Sequence, residues 1–238
     1  MTAEPILDLP QGLSIEVQNR RATLPPLQLV AGQRLLLTPE VGLAETQLAV
    51  ALARAFGSLG GAAEGTVQLL GQPVSSLNYI ELLRLRARLG YVQGRGGLLA
   101  NRTVRDNLLL PLSIHAQLLA VEEHARVDAQ LDAFDIRALA DLRPHQLDRE
   151  QQFAVCAARA AILRPQWYVL ETTGDFSGTL ETTPAWRALL QIWQEGASAA
   201  VLCLSRANPL FEQWMIGQGA TVQRWQTTST QRPQQANS

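Results

Sequence analysis

Lysine is missing altogether, and all 20 basic residues among the 238 are arginine. No register of the chain can therefore supply the lysine of a G-x-x-x-x-G-K-[ST] phosphate-binding loop. Cysteine and histidine are scarce. Cys156 and Cys203 lie in the apolar runs FAVCAARA and AVLCLS and read as buried thiols, and His115, His124 and His145 show no metal-ligand spacing. No metal site is expected. Charged residues make up 17% with a net charge of −1 and no basic run, which disfavours nucleic acid and anionic membrane surfaces as partners. No apolar stretch approaches the roughly 20 residues that cross a bilayer, so direct membrane insertion is not expected. The opening MTAEPILDLPQ lacks the basic start and apolar core of a signal peptide, and a cytosolic location is the expectation.

What is present suits one globular unit, since 47% hydrophobic composition supports a sizeable core with room for an inserted helical subdomain. LSIEV (13–17), QRLLLT (33–38) and GTVQLLG (65–71) read as strands. Residues 33–57 read as a buried strand, a tight turn and a helix, the unit that wraps a nucleotide phosphate in P-loop proteins. Laid on that pattern, TPEVGLAE (38–45) puts Thr38 and Leu43 at the glycines, Ala44 at the lysine and Glu45 at the hydroxyl, with Thr46 just beyond. The loop offers Glu40 and Glu45 and no cation.

The later segments set the register. YIELLRLRARLGYVQ (79–93), TVRDN (103–107), PHQLDREQQFAVCAARAAILRPQWYVLETTGD (144–175), AVLCLSRA (200–207) and ATVQRW (220–225) follow one another as in the ATP-binding subunits of ABC transporters, and the chain resembles that family over roughly residues 10–226. The resemblance implies an α/β, P-loop NTPase-like ABC ATPase fold: a parallel core sheet, an antiparallel β subdomain and an inserted helical subdomain. It implies a single domain over 1–226, with the helical part at about 95–160. Residues 227–238, TTSTQRPQQANS, read as a disordered tail. Within the helical part, residues 122–136 carry Ala125, Val127, Ala129, Leu131 and Phe134 at mixed helical spacing. NLLLPLSIHAQL (107–118) resembles its counterpart in ATPases of Mla-type phospholipid transporters.

Against the family's motifs, the chain departs at each nucleotide contact. The first aromatic, Phe56, comes after the loop, where the family places an adenine-stacking aromatic before it. Counting back from TVRDN puts Gly94 at the family's loop glutamine and Gln93 one residue early, which alternation would turn to the other face unless a bulge restores it. The signature L-S-G-G-Q becomes Leu147, Asp148, Arg149, Glu150 and Gln151. Asp148 with Gln151 also spells a D-x-x-Q capping box, an ordinary helix start. Glu171 and Thr172 stand where the family has Asp and its catalytic Glu; Glu171 could partly replace the first, whereas Thr172 cannot act as a carboxylate base. Ser205 and Arg206 stand at the Thr and switch His, and Arg206 stays charged and cannot shuttle a proton.

These positions are scattered in sequence and converge only on a nucleotide. Their joint loss implies a pseudo-ATPase subunit with no catalytic residues and no cofactor, acting as a structural or regulatory component of a membrane transport complex, with lipid export suggested by residues 107–118. The implied partners are a transmembrane permease, docked around Thr103, Val104, Arg105, Asp106 and Asn107, and an intact ABC ATPase or other subunits. The implied place is the cytoplasmic face of the inner membrane. The alternative is a slow or atypical ATPase that binds Mg-ATP weakly through Glu171, Thr46 and arginines. A third reading is a soluble α/β protein acting outside any transporter.

Overall fold

The run Arg34–Thr38 is buried at every residue, which requires cover on both faces of its sheet. The structure, a computed structural model, describes residues 4–40, 46–56, 63–93, 97–115, 119–172, 183–196, 198–204 and 206–229. The first half runs β1 (Leu7–Leu9), β2 (Leu13–Val17), β3 (Arg20–Leu24), β4 (Leu27–Leu29), β5 (Arg34–Thr38), α1 (Thr46–Phe56), β6 (Ala63–Glu64), β7 (Gln68–Leu69), β8 (Gln72–Pro73), α2 (Tyr79–Arg86) and β9 (Leu89–Val92). The second runs α3 (Val104–His115), α4 (Ala120–Ala133), α5 (Arg149–Ala161), β10 (Trp167–Thr172), α6 (Pro184–Glu195), β11 (Ala199–Leu204), α7 (Pro209–Gly217), β12 (Ala220–Arg224) and β13 (Gln226–Ser229).

Five strands form a parallel sheet in the order β12-β5-β11-β10-β9. Because side chains alternate, its two faces build two cores. Leu35, Leu37, Val169, Val201 and Trp167 pack with α1 and strands β1 to β4. Leu36, Val92, Leu170 and Leu202 pack with α3 to α7. The remaining strands form two antiparallel sheets, β4-β1-β7-β8 and β13-β3-β2-β6. A parallel core sheet, antiparallel strands and a helical layer are the architecture the resemblance implies.

Local chemistry explains the joints. On α1, Leu48, Ala49, Leu52, Ala53 and Phe56 recur at helical spacing and are the buried face. The alanine-rich face of α5 comes so close to β9 that a Cβ on Gly90 would lie 2.9 Å from the Ala160 carbonyl oxygen and 2.6 Å from the Tyr168 ring. Any larger residue at 90 would force the Tyr168 ring or α5 to shift.

Two sequence expectations change. Residues 227–229 are not tail: they belong to β13, which pairs antiparallel with β3 (Thr227 opposite Ala22), because β3 presents a free edge to a β-branched run. Residues 230–238 lie outside the described residues. The alternating run 65–71 yields only the two-residue β7, since Gly65, Leu70 and Gly71 all take positive φ and turn the chain at both ends. Val127, Leu131 and Phe134 form the buried face of the α4 region, whereas Ala125 and Ala129 are exposed.

Candidate functional site

In open parallel sheets, ligand sites gather at the carboxyl ends of the strands. Here the ends of β5, β9, β10 and β11 bring Thr38, Gln93, Glu171 and Arg206 to the same edge of the sheet. Leu43, Ala44, Glu45 and Gly94 lie outside the described residues, as does the side chain of Thr172, whose backbone closes β10. Thr46 is exposed at the start of α1, and Arg206 is exposed two residues past the end of β11.

Thr38 is fully buried. Its hydroxyl donates to Glu212 Oε1 at 3.2 Å, and its carbonyl accepts from the Trp225 amide at 3.1 Å. Glu212, on α7, is 6% exposed and ion-paired to Arg224 at 2.6 Å. The Arg224 guanidinium also donates to the Pro39 carbonyl at 3.2 Å. The threonine at the first glycine position thus faces α7 and the end of β12.

Glu171 is 6% exposed at the end of β10 and accepts a 2.8 Å hydrogen bond from Tyr91 on β9. Burial raises its pKa above the ordinary carboxylate range, opposed by the Tyr91 hydrogen bond and by the charge of Arg54 on α1. Cys203, its register partner on β11, is fully buried, and burial together with the neighbouring carboxylate holds its thiol protonated. This corner can hold a proton on one carboxylate. The next residue in the sequence is Thr172 and not a second carboxylate.

The Gln93 side chain lies over Gly97, where its Oε1 occupies the place a Cβ would take. Arg159 of α5 donates to the Gly97 carbonyl. At the signature position Asp148 caps α5: Asp148 Oδ1 accepts from the Gln151 amide at 2.8 Å, and Gln151 Oε1 accepts from the Asp148 amide at 3.0 Å. Arg149 and Glu150 are exposed beside it and Gln151 is half-buried.

Thr103–Asn107 is occupied internally. Thr103 and Asp106 bond each other's backbone amides, Val104 is buried, and Arg105 pairs with Asp128 at 2.7 Å. Buried Asn107 donates to the carbonyls of Leu99 and Thr103 and accepts from the Leu99 amide at 2.7 Å. Exposed apolar side chains on the same two helices are Leu110 and Ile114 on α3 and Leu119 and Val121 at the start of α4, 37–72% exposed.

Sequence reading missed Tyr91, Glu212 and Arg224. Tyr91 had a signal, a polar-tipped aromatic two residues before Gln93. Glu212, inside PLFEQWM, reads as a surface acid and gives none. Among the described residues no cluster of three or more His, Cys, Asp or Glu could hold a metal, and no helix is long and apolar enough to cross a membrane.

No family model matches the chain. It is 32% identical over 158 residues to the lipoprotein-releasing system ATP-binding protein LolD 2 of Rhodospirillum rubrum, across 65% of this chain and 64% of that protein. It is 32% identical over 124 residues to the trimethylamine N-oxide transport system ATP-binding protein TmoW of Ruegeria pomeroyi, across 50% of this chain and 35% of that protein. The chain spans less than two thirds of the length of each of these two relatives. The dimeric ABC transporter cassette MJ0796 superposes with a TM-score of 0.70 at 17% identity, across 95% of this chain and 99% of the other. The fold is that of ABC ATPases, and the sequence relatives support the resemblance to ATP-binding subunits of ABC transporters.

Proposed function

We infer that this chain is a degenerate member of the family of ABC-transporter ATP-binding subunits, a pseudo-ATPase that serves a membrane transport complex as a structural or regulatory component. The observation that carries this reading is that three separated motif positions are each hydrogen-bonded to other groups of the chain. Thr38 is bonded to Glu212, Glu171 to Tyr91 and Asp148 to the first turn of α5.

The residues present do not fit Mg-ATP. A triphosphate needs cationic and amide donors, whereas the loop pattern supplies Glu40 and Glu45 and the chain holds no lysine. At α5, the helix end that would attract an anion is capped by Asp148 and flanked by Glu150. The two relatives reported above are named as ATP-binding proteins, and on this reading the chain differs from them in having given up its nucleotide contacts.

The partners follow from this reading: a transmembrane permease at the cytoplasmic face of the inner membrane, and an intact ABC ATPase that supplies the work. Because Thr103–Asn107 is occupied internally, contact falls to the neighbouring apolar side chains of Leu110, Ile114, Leu119 and Val121. Lipid-linked cargo is supported by residues 107–118 and by the likeness to a subunit named for lipoprotein release.

The test is affinity purification of the chain from detergent-solubilised membranes of its host, followed by mass spectrometry of proteins and lipids. A multi-span permease with an intact ABC ATPase is the expected company. Recovery of the chain alone in the soluble fraction overturns the transport role.

A further inference from the structure

The junction where β5 ends is fastened by residues almost two hundred positions away. β12 is an edge strand of the parallel sheet and pairs with β5 alone, with Arg224 opposite Thr38. At that pair and just beyond it, three polar groups at the exit of β5 find partners on α7, on β12 and at Trp225, the residue after β12. The Thr38 hydroxyl bonds to Glu212 at 3.2 Å, the Thr38 carbonyl to the Trp225 amide at 3.1 Å and the Pro39 carbonyl to Arg224 at 3.2 Å. Glu212 and Arg224 are joined by two contacts, at 2.6 and 3.4 Å.

The burial is uneven. The Glu212 side chain is 8% exposed and Arg224 is 40% exposed, so the carboxylate depends on the arginine to offset its desolvation while the arginine could reach water. An arginine that served only to neutralise Glu212 would need no contact with Pro39. A threonine present only to fill space would not aim its hydroxyl at Glu212.

We propose that Thr38, Glu212 and Arg224 form an internal clamp that holds the exit of β5, and with it the start of the loop to α1, in one conformation without any bound anion. These are positioning residues. The clamp gives the glycine-to-threonine departure at position 38 a physical role, since glycine there would have no hydroxyl to offer Glu212. The proposal rests on the pseudo-ATPase reading only for the statement that no nucleotide orders this loop.

The test is hydrogen exchange of the full-length chain, followed in the peptide that contains Leu37, Thr38 and Glu40 and, as reference, in peptides from β10 and β11. Arg224→Met removes the ion-pair partner of the buried Glu212, so global stability falls and exchange at the β5 exit rises. The double variant Glu212→Gln/Arg224→Met removes the buried charge and recovers much of the global stability. A clamp predicts that exchange at the β5 exit stays at least about tenfold faster than wild type in the double variant while the reference peptides return to normal. If both return together, the pair serves stability alone and the clamp is overturned. Thr38→Val, which keeps the fold's volume, should raise exchange at the same peptide and nowhere else; no change there also overturns it. Slowed exchange of the wild-type peptide in millimolar Mg-ATP would instead sink the pseudo-ATPase reading and leave the variant comparison standing.

Discussion

The phenolic hydroxyl of Tyr91, on β9, donates a 2.8 Å hydrogen bond to Oε2 of Glu171, on β10. The two side chains share the α1 face of the sheet and lie within the field of Arg54. That bond stabilises the ionised carboxylate. Burial opposes ionisation more strongly, so the folded state holds the Glu171 proton more tightly than the unfolded chain does.

The sign of the pH effect follows. A carboxylate with a raised folded pKa contributes stability that is fully present below the ordinary carboxylate range and is lost as pH rises through the folded value. Glu171→Gln removes that loss. Urea unfolding across pH 4 to 8 should show the variant gaining on wild type as pH rises, and parallel curves would refute the assignment. Tyr91→Phe should lower stability above the folded pKa, where the carboxylate loses its donor.

At the signature position, the cap makes a separate prediction. Asp148→Ala should cost about 0.5–2 kcal/mol, and Asp148→Ser, an equally good N-cap and the family's own residue, should be close to neutral. Denaturant midpoints of the two variants decide it. Equal losses would mean that the carboxylate serves something other than the helix.

Charge reversal at Arg105 is a poor probe of docking because Arg105 holds Asp128, which Arg137 also contacts at 3.3 Å. These arginines keep the Asp128 carboxyl below its usual range, so their contribution is present above that range and lost as pH falls. Ile114→Asp and Val121→Asp alter side chains that are 63% and 72% exposed. They should leave the melting temperature nearly unchanged while reducing recovery of the permease in the affinity purification. Full recovery with both substitutions places the contact elsewhere.

Nucleotide itself is tested by thermal unfolding. A ligand at about 100 times its Kd stabilises a fold by about 2.7 kcal/mol, so millimolar Mg-ATP registers as a clearly rising midpoint if its Kd is about 10 μM or tighter. A flat midpoint is expected. A concentration-dependent rise would favour the slow-ATPase alternative.

Much of the fold is legible in the residues because it rests on local pattern. RLLLT, WYVL and AVLCL are short apolar runs of the kind that suits a strand covered on both faces, and Leu48, Leu52 and Phe56 repeat at the spacing of a helix face. The D-x-x-Q box needs four adjacent residues and forms as spelled. The absence of lysine is a property of composition that no folding can alter.

Tertiary structure decided which polar groups are taken. Glu212 and Arg224 are twelve residues apart from each other and lie far along the chain from Thr38, and only the pairing of β12 with β5 sets them on one junction. Tyr91 and Glu171 meet because β9 and β10 are neighbours, although the two residues are eighty positions apart. A sequence states which donors and acceptors exist. Whether a carboxylate or hydroxyl remains available to a ligand depends on partners that distant strands bring within about 3 Å, and that is fixed only when the sheet is assembled.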